Sequence, residues 1–373
     1  MSATSAHWLD ERRAEAANRF AALGVPHRRV EDWKYSDLKT ALDGANDDGA
    51  ASWSVGKLPE GVELFDLSHT GAAPEWVRAH LGTLPQNAMA SSSLAHARTG
   101  FAIHVPRNSN AGALHIEFAG AGACRALVVL EEGAALTLCE TRNGDAFSNL
   151  GIEFVIGANA HLIHIRTAPH AGDAVQVEEY AVRIDRDGVY RAHLFSGGAK
   201  LSRAEFQIAL AGANAAAHLS GVSVLGGTAH ADITTHIVHA VPHTTSTQLF
   251  KKIAGGKSRA VYQGRITVEQ GADKSDSRQT AKALLMGERA EADLKPELEI
   301  FADDVKCAHG AAVGDLDANS LFYLRARGIP EAEARNMLVR AFLEEAVDEI
   351  TDEAIRATVW QAVEDALPKA MLP

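Results

Sequence analysis

From about residue 100 to 305, apolar and polar residues alternate in short runs. "FAIHV", "ALHIEF", "ALTLCE", "AHLIHIR", "VYRAHLF", "AHLSGVSVL", "ITTHIVHA" and "AVYQGRITV" follow one another, and "ELEIFADDVKC" closes the series. Each run has strand length and the period of two that sends alternate side chains to opposite faces. No sustained 3.6-residue stripe separates them, so the region reads as all β. A small corner recurs between strands: "EGAAL" (132–136), "IGANAHL" (156–162), "AGANAAAHL" (211–219) and "QGADKSD" (270–276). Gly and Asn accept the positive φ that tight corners need, and Ala suits coils stacked closely on one another. This pattern suggests a β-helix or solenoid; a two-sheet sandwich or jelly roll also satisfies the alternation.

The ends follow a different rhythm. Residues 5–23 read as a helix with Trp8, Leu9, Ala16, Phe20 and Leu23 as its apolar stripe, stopped by Gly24. Residues 43–61 have loop composition. After residue 317 the period returns to that of a helix. Asp317 is placed to cap "SLFYLRAR", Gly328 ends that helix and Pro330 starts the next. In the second helix Ala334, Met337, Leu338, Ala341, Phe342 and Ala346 share a face. Thr351 is placed to cap a last helix carrying Ile355, Val359, Trp360, Val363 and Leu367. Three regions result: 1–95, mostly helical; 96–316, the β core; and 317–373, helical. The last is expected either to form a docking surface, with Met337, Leu338, Phe342, Ile355, Val359 and Trp360 as its apolar contacts, or to cap an open end of the β core.

Composition narrows the function classes. Lys and Arg number 36 against 48 Asp and Glu, a formal net charge of −12. A protein that grips phosphate backbones would be basic, so nucleic acid is not an expected partner. No apolar run is long enough to span a membrane, and "MSATSAHWLDERRAEAANRF" lacks the apolar core of a secretory signal. The three cysteines, 124, 139 and 307, are far apart and odd in number, which argues against a disulfide framework. A cytoplasmic protein with reduced thiols is expected.

Few residues are placed for chemistry. "AGGKS" (254–258) ends like a P-loop, but Lys251 stands where the motif needs its first Gly, and the flanks read as strands. His230, His236, His239 and His243 are dense in sequence, yet 236 and 239 point to opposite faces of a strand and cannot share one ion without a bulge. Cys124 and Cys139 read as small buried hydrophobes. Cys307 and His309 differ: two residues apart on a strand, they share one face, ~6.5 Å apart along it. Iron–sulfur clusters and structural zinc usually take four protein ligands, and no other spaced cysteine set occurs in this chain. The pair reads as half of a metal site at a subunit interface, or as an inert Cys beside a polar His. A symmetric homodimer across this face would bring two of each together.

"EDWKYSDL" (31–38), "KKIAGGKSRAVYQGRITVEQGADKSDSRQTAKALLMG" (251–287), "KPELEIFADDVKCAHGAAVGDLDANSLFYLRARGI" (295–329) and the helical tail resemble the SufB/SufD family of iron–sulfur cluster assembly proteins. The likeness is greater to its SufD branch. SufB-like chains carry a Cys within the stretch matching "DSRQTAKALLMG", and residues 276–287 contain none. The resemblance implies a right-handed parallel β-helix between helical ends. It implies a non-catalytic scaffold that pairs with a SufB-like paralogue and takes a SufC-like ATPase on its C-terminal helices. It makes Cys307 and His309 this chain's contribution to a transient cluster shared with the paralogue. Family complexes are associated with reduced flavin, although no flavin motif occurs here. A β-helix carbohydrate-active enzyme, which needs paired carboxylates and an aromatic groove, and a self-associating structural protein without metal are the alternative readings.

Overall fold

The alternating runs form two nine-stranded sheets in a computed structural model that describes residues 7–45, 50–69, 73–84 and 86–370. The strands are β1 (Ser52–Val55), β2 (Glu63–Asp66), β3 (Thr99–Val105), β4 (Asn110–Ala119), β5 (Gly122–Leu130), β6 (Ala135–Arg142), β7 (Phe147–Ile156), β8 (His161–Ala168), β9 (Val175–Ile184), β10 (Val189–Ser196), β11 (Leu201–Leu210), β12 (Ala216–Leu225), β13 (His230–His239), β14 (Thr245–Ala254), β15 (Arg259–Val268), β16 (Asp276–Leu285), β17 (Glu291–Ile300) and β18 (Lys306–Gly314). From β3 onward, odd strands stack in one sheet and even strands in the other. All of these pairings are parallel. The chain therefore winds as a β-solenoid of about eight turns, the solenoid alternative of the sequence reading.

One corner explains the recurrent Gly–Ala–Asn element. Asn108, Gly133, Asn159, Asp187, Asn214, His243 and Lys274 each take positive φ, one to a rung. The backbone N–H of Asn159 donates to the Arg186 carbonyl at 2.9 Å, that of Asp187 to Ala213 at 2.9 Å and that of His243 to Asp273 at 2.9 Å. A left-handed residue at this corner turns its N–H along the solenoid axis, so the corners form their own hydrogen-bonded spine.

Side chains facing inward fill the lumen. Through most of its length apolar residues dominate, with Phe101, Leu138, Phe154, Leu194 and Phe206 in one cluster, interrupted by a buried network that joins Arg166 to Glu178 and both His164 and Tyr180 to Glu140. Toward the C-terminal end the inner positions become polar: Ser246, Gln248 and Lys252 on β14, then Ser277 and Gln279 on β16, all buried. Lys252 donates to the Ser223 hydroxyl at 3.2 Å, and burial lowers its pKa to about 7.

The terminal regions cover the outer faces. Helices α1 (His7–Leu23), α3 (Glu75–His80) and α4 (Ala88–His96) pack Leu9, Ala16, Val77, Leu81 and Leu94 over Ala102, Leu127 and Val129 of one sheet. Trp33 and Leu38, the latter opening α2 (Leu38–Ala41), extend that cover over Val177 and Leu201. On the other sheet α6 (Glu331–Val347) and α7 (Glu353–Ala370) set Val339, Leu343, Val359 and Val363 against Phe195, Val222, Val224 and Ile253. Gly255 lets α7 approach, because a Cβ there would stand 1.9 Å from the Ala370 carbonyl oxygen.

Several sequence expectations are corrected. The loop-like stretch 43–61 contains β1, which pairs antiparallel with β4 because Trp53 and Val55 have the apolar lumen end to cover. "ELEIFADDVKC" is two strands, β17 and β18, separated by a turn. Leu23 is exposed rather than part of the helix stripe. Asp352, not Thr351, caps α7, its carboxylate accepting from the Ile355 N–H at 3.0 Å. The packed face of α6 is Ala334, Val339, Leu343, Ala346 and Val347. Met337 and Ala341 of the expected stripe are exposed, because the sheet lies on the neighbouring side of the helix. The C-terminal helices lie along a sheet face and leave the solenoid's C-terminal end uncovered.

Candidate functional site

That uncovered end holds Cys307 and His309. They lie on β18, the last rung, in register with Ser277 and Gln279 of β16. Ser277 and Gln279 are buried in the lumen, so the two strand partners above them continue the inner face. Cys307 is half-buried and packs with Ile266, Val268, Leu298 and Val305. His309 is exposed because no rung follows. Beyond it, Gly310 and Gly314 have nothing within 4 Å of where a Cβ would stand. The sequence expectation of one shared face holds, and the face is an open lumen mouth.

The electrostatics do not suit a nucleophilic dyad. Burial, and then the nearby Asp276 carboxylate, push the Cys307 thiol up, whereas a reactive thiolate needs a lowered pKa. Asp304 is engaged elsewhere: its carboxylate pairs with Lys274, and its carbonyl accepts the Lys274 N–H at 2.6 Å. Soft sulfur and imidazole donors suit iron or zinc better than hard ions. Among the described residues no group of three or more His, Cys, Asp or Glu side chains is placed to hold a metal ion. The mouth therefore carries one thiol and one imidazole on its inner face, with open space beside them.

The remaining candidates take structural positions. Burial raises the Cys124 thiol to about 12 and, with help from Asp352, the Cys139 thiol to about 11. His230 meets the Ser36 hydroxyl at 3.1 Å, His236 the Thr267 hydroxyl at 3.1 Å, and His239 lies between Thr244 and Ser246 at 2.8 and 2.9 Å. His243 is the corner residue of its rung. "AGGKS" joins β14 to β15, with no helix to receive a phosphate. Of the six tail residues, Val359 is buried, while Phe342, Ile355 and Trp360 are half-buried in the same cluster against the sheet. Leu338 is half-buried and Met337 is 46% exposed. Sequence reasoning placed the first tail helix but did not single out Phe322 and Tyr323: α5 (Ala318–Ala326) buries no side chain and leaves both exposed. It also missed Gln279 and Gln248, although polar residues at every position of "TSTQ" and "DSRQ" signal strands polar on both faces.

Residues 116–342 match the family model described as "SUF system FeS cluster assembly, SufBD core domain", and residues 1–48 match "SufBD protein N-terminal region". A SufBD family iron–sulfur cluster assembly protein of Synechocystis sp. is 28% identical, the match covering 97% of this chain and 92% of the relative. A SufBD family protein of Mycobacterium bovis is 28% identical over 93% of this chain and 90% of its own length. The iron–sulfur cluster assembly protein SufD of Escherichia coli is 36% identical over 64% of this chain and 57% of the relative.

Proposed function

The chain belongs to the SufBD family of the SUF iron–sulfur cluster assembly system, and we propose that it is a SufD-type, non-catalytic scaffold subunit. It pairs end to end with a SufB-like paralogue, and a nascent cluster forms at the junction. The observation that carries this reading is the open last rung, where Cys307 and His309 continue the inner face of the lumen and, among the described residues, no third ligand stands with them. A cluster needs about four protein ligands, so the paralogue supplies the others. The cluster is cargo, held until transfer. ATP hydrolysis is the work of a SufC-like ATPase. It docks on the exposed side of the C-terminal helices, with Met337, Phe322 and Tyr323 as apolar contacts, while Val359 and its neighbours hold the helices on the sheet.

The test is anaerobic co-expression of this chain with a SufB-like and a SufC-like protein, followed by iron and sulfide analysis of the complex. The chain alone is expected to lose any reconstituted cluster on desalting, whereas the three-protein complex retains one. A stoichiometric cluster that survives desalting on a proven monomer would overturn the half-site reading.

A further inference from the structure

The polar column under His309 contains an oxygen with no use in the described fold. Thr235 Oγ1 donates to Gln248 Oε1 at 2.7 Å, and Tyr262 OH donates to the same oxygen at 3.0 Å. Tyr262 has then spent its proton, so it accepts from Gln279 Nε2, at 2.8 Å. Gly264 on the facing sheet leaves space for that amide, since a Cβ there would stand 1.9 Å from Gln279 Nε2. With the Gln248 amide in this orientation, which leaves its own Nε2 without a partner, the Gln279 amide turns its Nε2 to Tyr262. Its other atom, Oε1, is buried and has no hydrogen-bond partner, in a residue only 1% exposed. A buried acceptor left without a donor is costly, and such groups call for an explanation.

The next side chain along this column is His309, Gln279's partner in register and on the same face. Adjacent strands lie about 4.8 Å apart, within reach of an imidazole N–H. A histidine that gives one ring nitrogen to a metal carries its proton on the other. That proton is normally taken by a carbonyl or carboxylate, which sets the tautomer and the ring angle.

Resting on the reading of His309 as a ligand, we propose that Gln279 is its positioning residue: the unpartnered Gln279 carbonyl oxygen accepts the ring N–H of His309, leaving the other nitrogen facing the mouth of the lumen. Tyr262 and Gln248 act one step further back, by holding the amide in the accepting orientation. Nothing covalent changes in this arrangement. It presents a lone pair in a set direction before the paralogue and the cluster arrive.

Nuclear magnetic resonance of the isolated, full-length chain carrying nitrogen-15 histidine tests this without any cluster. The wild type is expected to show a ring N–H resonance protected from solvent exchange and assignable to His309 by its loss in His309→Ala. It should vanish in Gln279→Met and persist in Gln279→Glu, whose carboxylate still accepts. In the three-protein complex, Gln279→Met should lower cluster content about tenfold, and Gln279→Glu should restore most of it. Absence of the His309 resonance in the wild type, or its survival in Gln279→Met, overturns the proposal. Should Gln279→Met fail to fold, the wild-type spectrum and Gln279→Glu decide it. If the resonance behaves as expected but His309→Ala matures clusters at wild-type levels, the positioning stands and the ligand reading falls.

Discussion

At the scale of single residues, the same side chain has opposite meanings in the lumen and at its mouth. Cys124 is enclosed, and burial holds its thiol protonated. Cys307 has similar apolar neighbours but an open side. Truncating a half-buried residue at an edge costs little, within about 1 kcal/mol, while losing a ligand removes one of roughly four bonds to a cluster. Cys307→Ala and His309→Ala should therefore leave the melting temperature nearly unchanged and cut the iron and sulfide content of the three-protein complex severely. Wild-type content in both variants would make the pair packing residues. Histidines show the cost of enclosure. His193, His218, His230 and His239 each have a pKa lowered to about 4, chiefly by burial. In the unfolded chain each titrates near 6.5. Between about pH 6.5 and pH 4 the unfolded chain thus binds protons that the native chain refuses, so stability falls as pH falls through that window and is fully present above it. Urea midpoints should drop steadily from about pH 7 to pH 4, with a shallower slope in His239→Gln; a flat profile would mean that these rings are protonated in the native state.

At the scale of elements, strands were easier to read than helix faces. Period-two alternation marks a strand whatever it packs against, and a positive-φ corner marks a rung because Asn and Gly tolerate it. A helix with apolar residues on two adjacent sides does not say which side the rest of the chain will cover. On α6 the sheet took Val339 and Leu343 and left Met337 outside. The adjacent Lys251 and Lys252 are both buried. Lys251 pairs with Glu345 and lies 4.6 Å from the Phe342 ring centroid, and Lys252 is in the polar lumen. Cys307 and His309 were legible because a two-residue spacing on a strand fixes a shared face. Gln279 was not, because only the register of β16 against β18 brings it beneath His309. The helix faces lead to a prediction. Leu343→Ala removes a fully buried side chain and should cost about 2–5 kcal/mol in urea unfolding. Met337→Asp should change stability by less than about 0.5 kcal/mol and still weaken capture of the ATPase. Deleting 318–373 would be a poor substitute, since it uncovers Phe195, Val222 and Ile253 and invites aggregation. ATPase capture by Met337→Asp at wild-type strength would move the docking surface away from α6.

At the scale of the whole molecule, the two ends of the solenoid are treated differently. At the N-terminal end β1 and β2 turn antiparallel and close both sheets. At the C-terminal end β17 and β18 are the outermost strands of their sheets, none of their residues is buried, and Ile300 and Val313 on them, with Phe301 just after β17, are exposed. Free strand edges template further pairing, and proteins usually blunt them. Here one end is blunted and the other is left with its backbone groups and apolar side chains available, at the rung that carries Cys307 and His309. Pairing through backbone alone would tolerate most substitutions, so the exposed apolar side chains are the place to test the end-to-end arrangement. A charge placed there costs the free chain almost nothing, because water solvates it, but must be desolvated when a second solenoid covers the end. Phe301→Asp and Val313→Asp should each melt within a few degrees of the wild type and still bind the ATPase, while weakening association with the SufB-like paralogue at least tenfold in size-exclusion or pull-down measurements. Cluster content should fall in step with that association and not with stability, since Cys307 and His309 remain in place and only the paralogue is missing. Wild-type assembly by both variants would place the junction away from the open rung and would leave Cys307 and His309 without a partner surface.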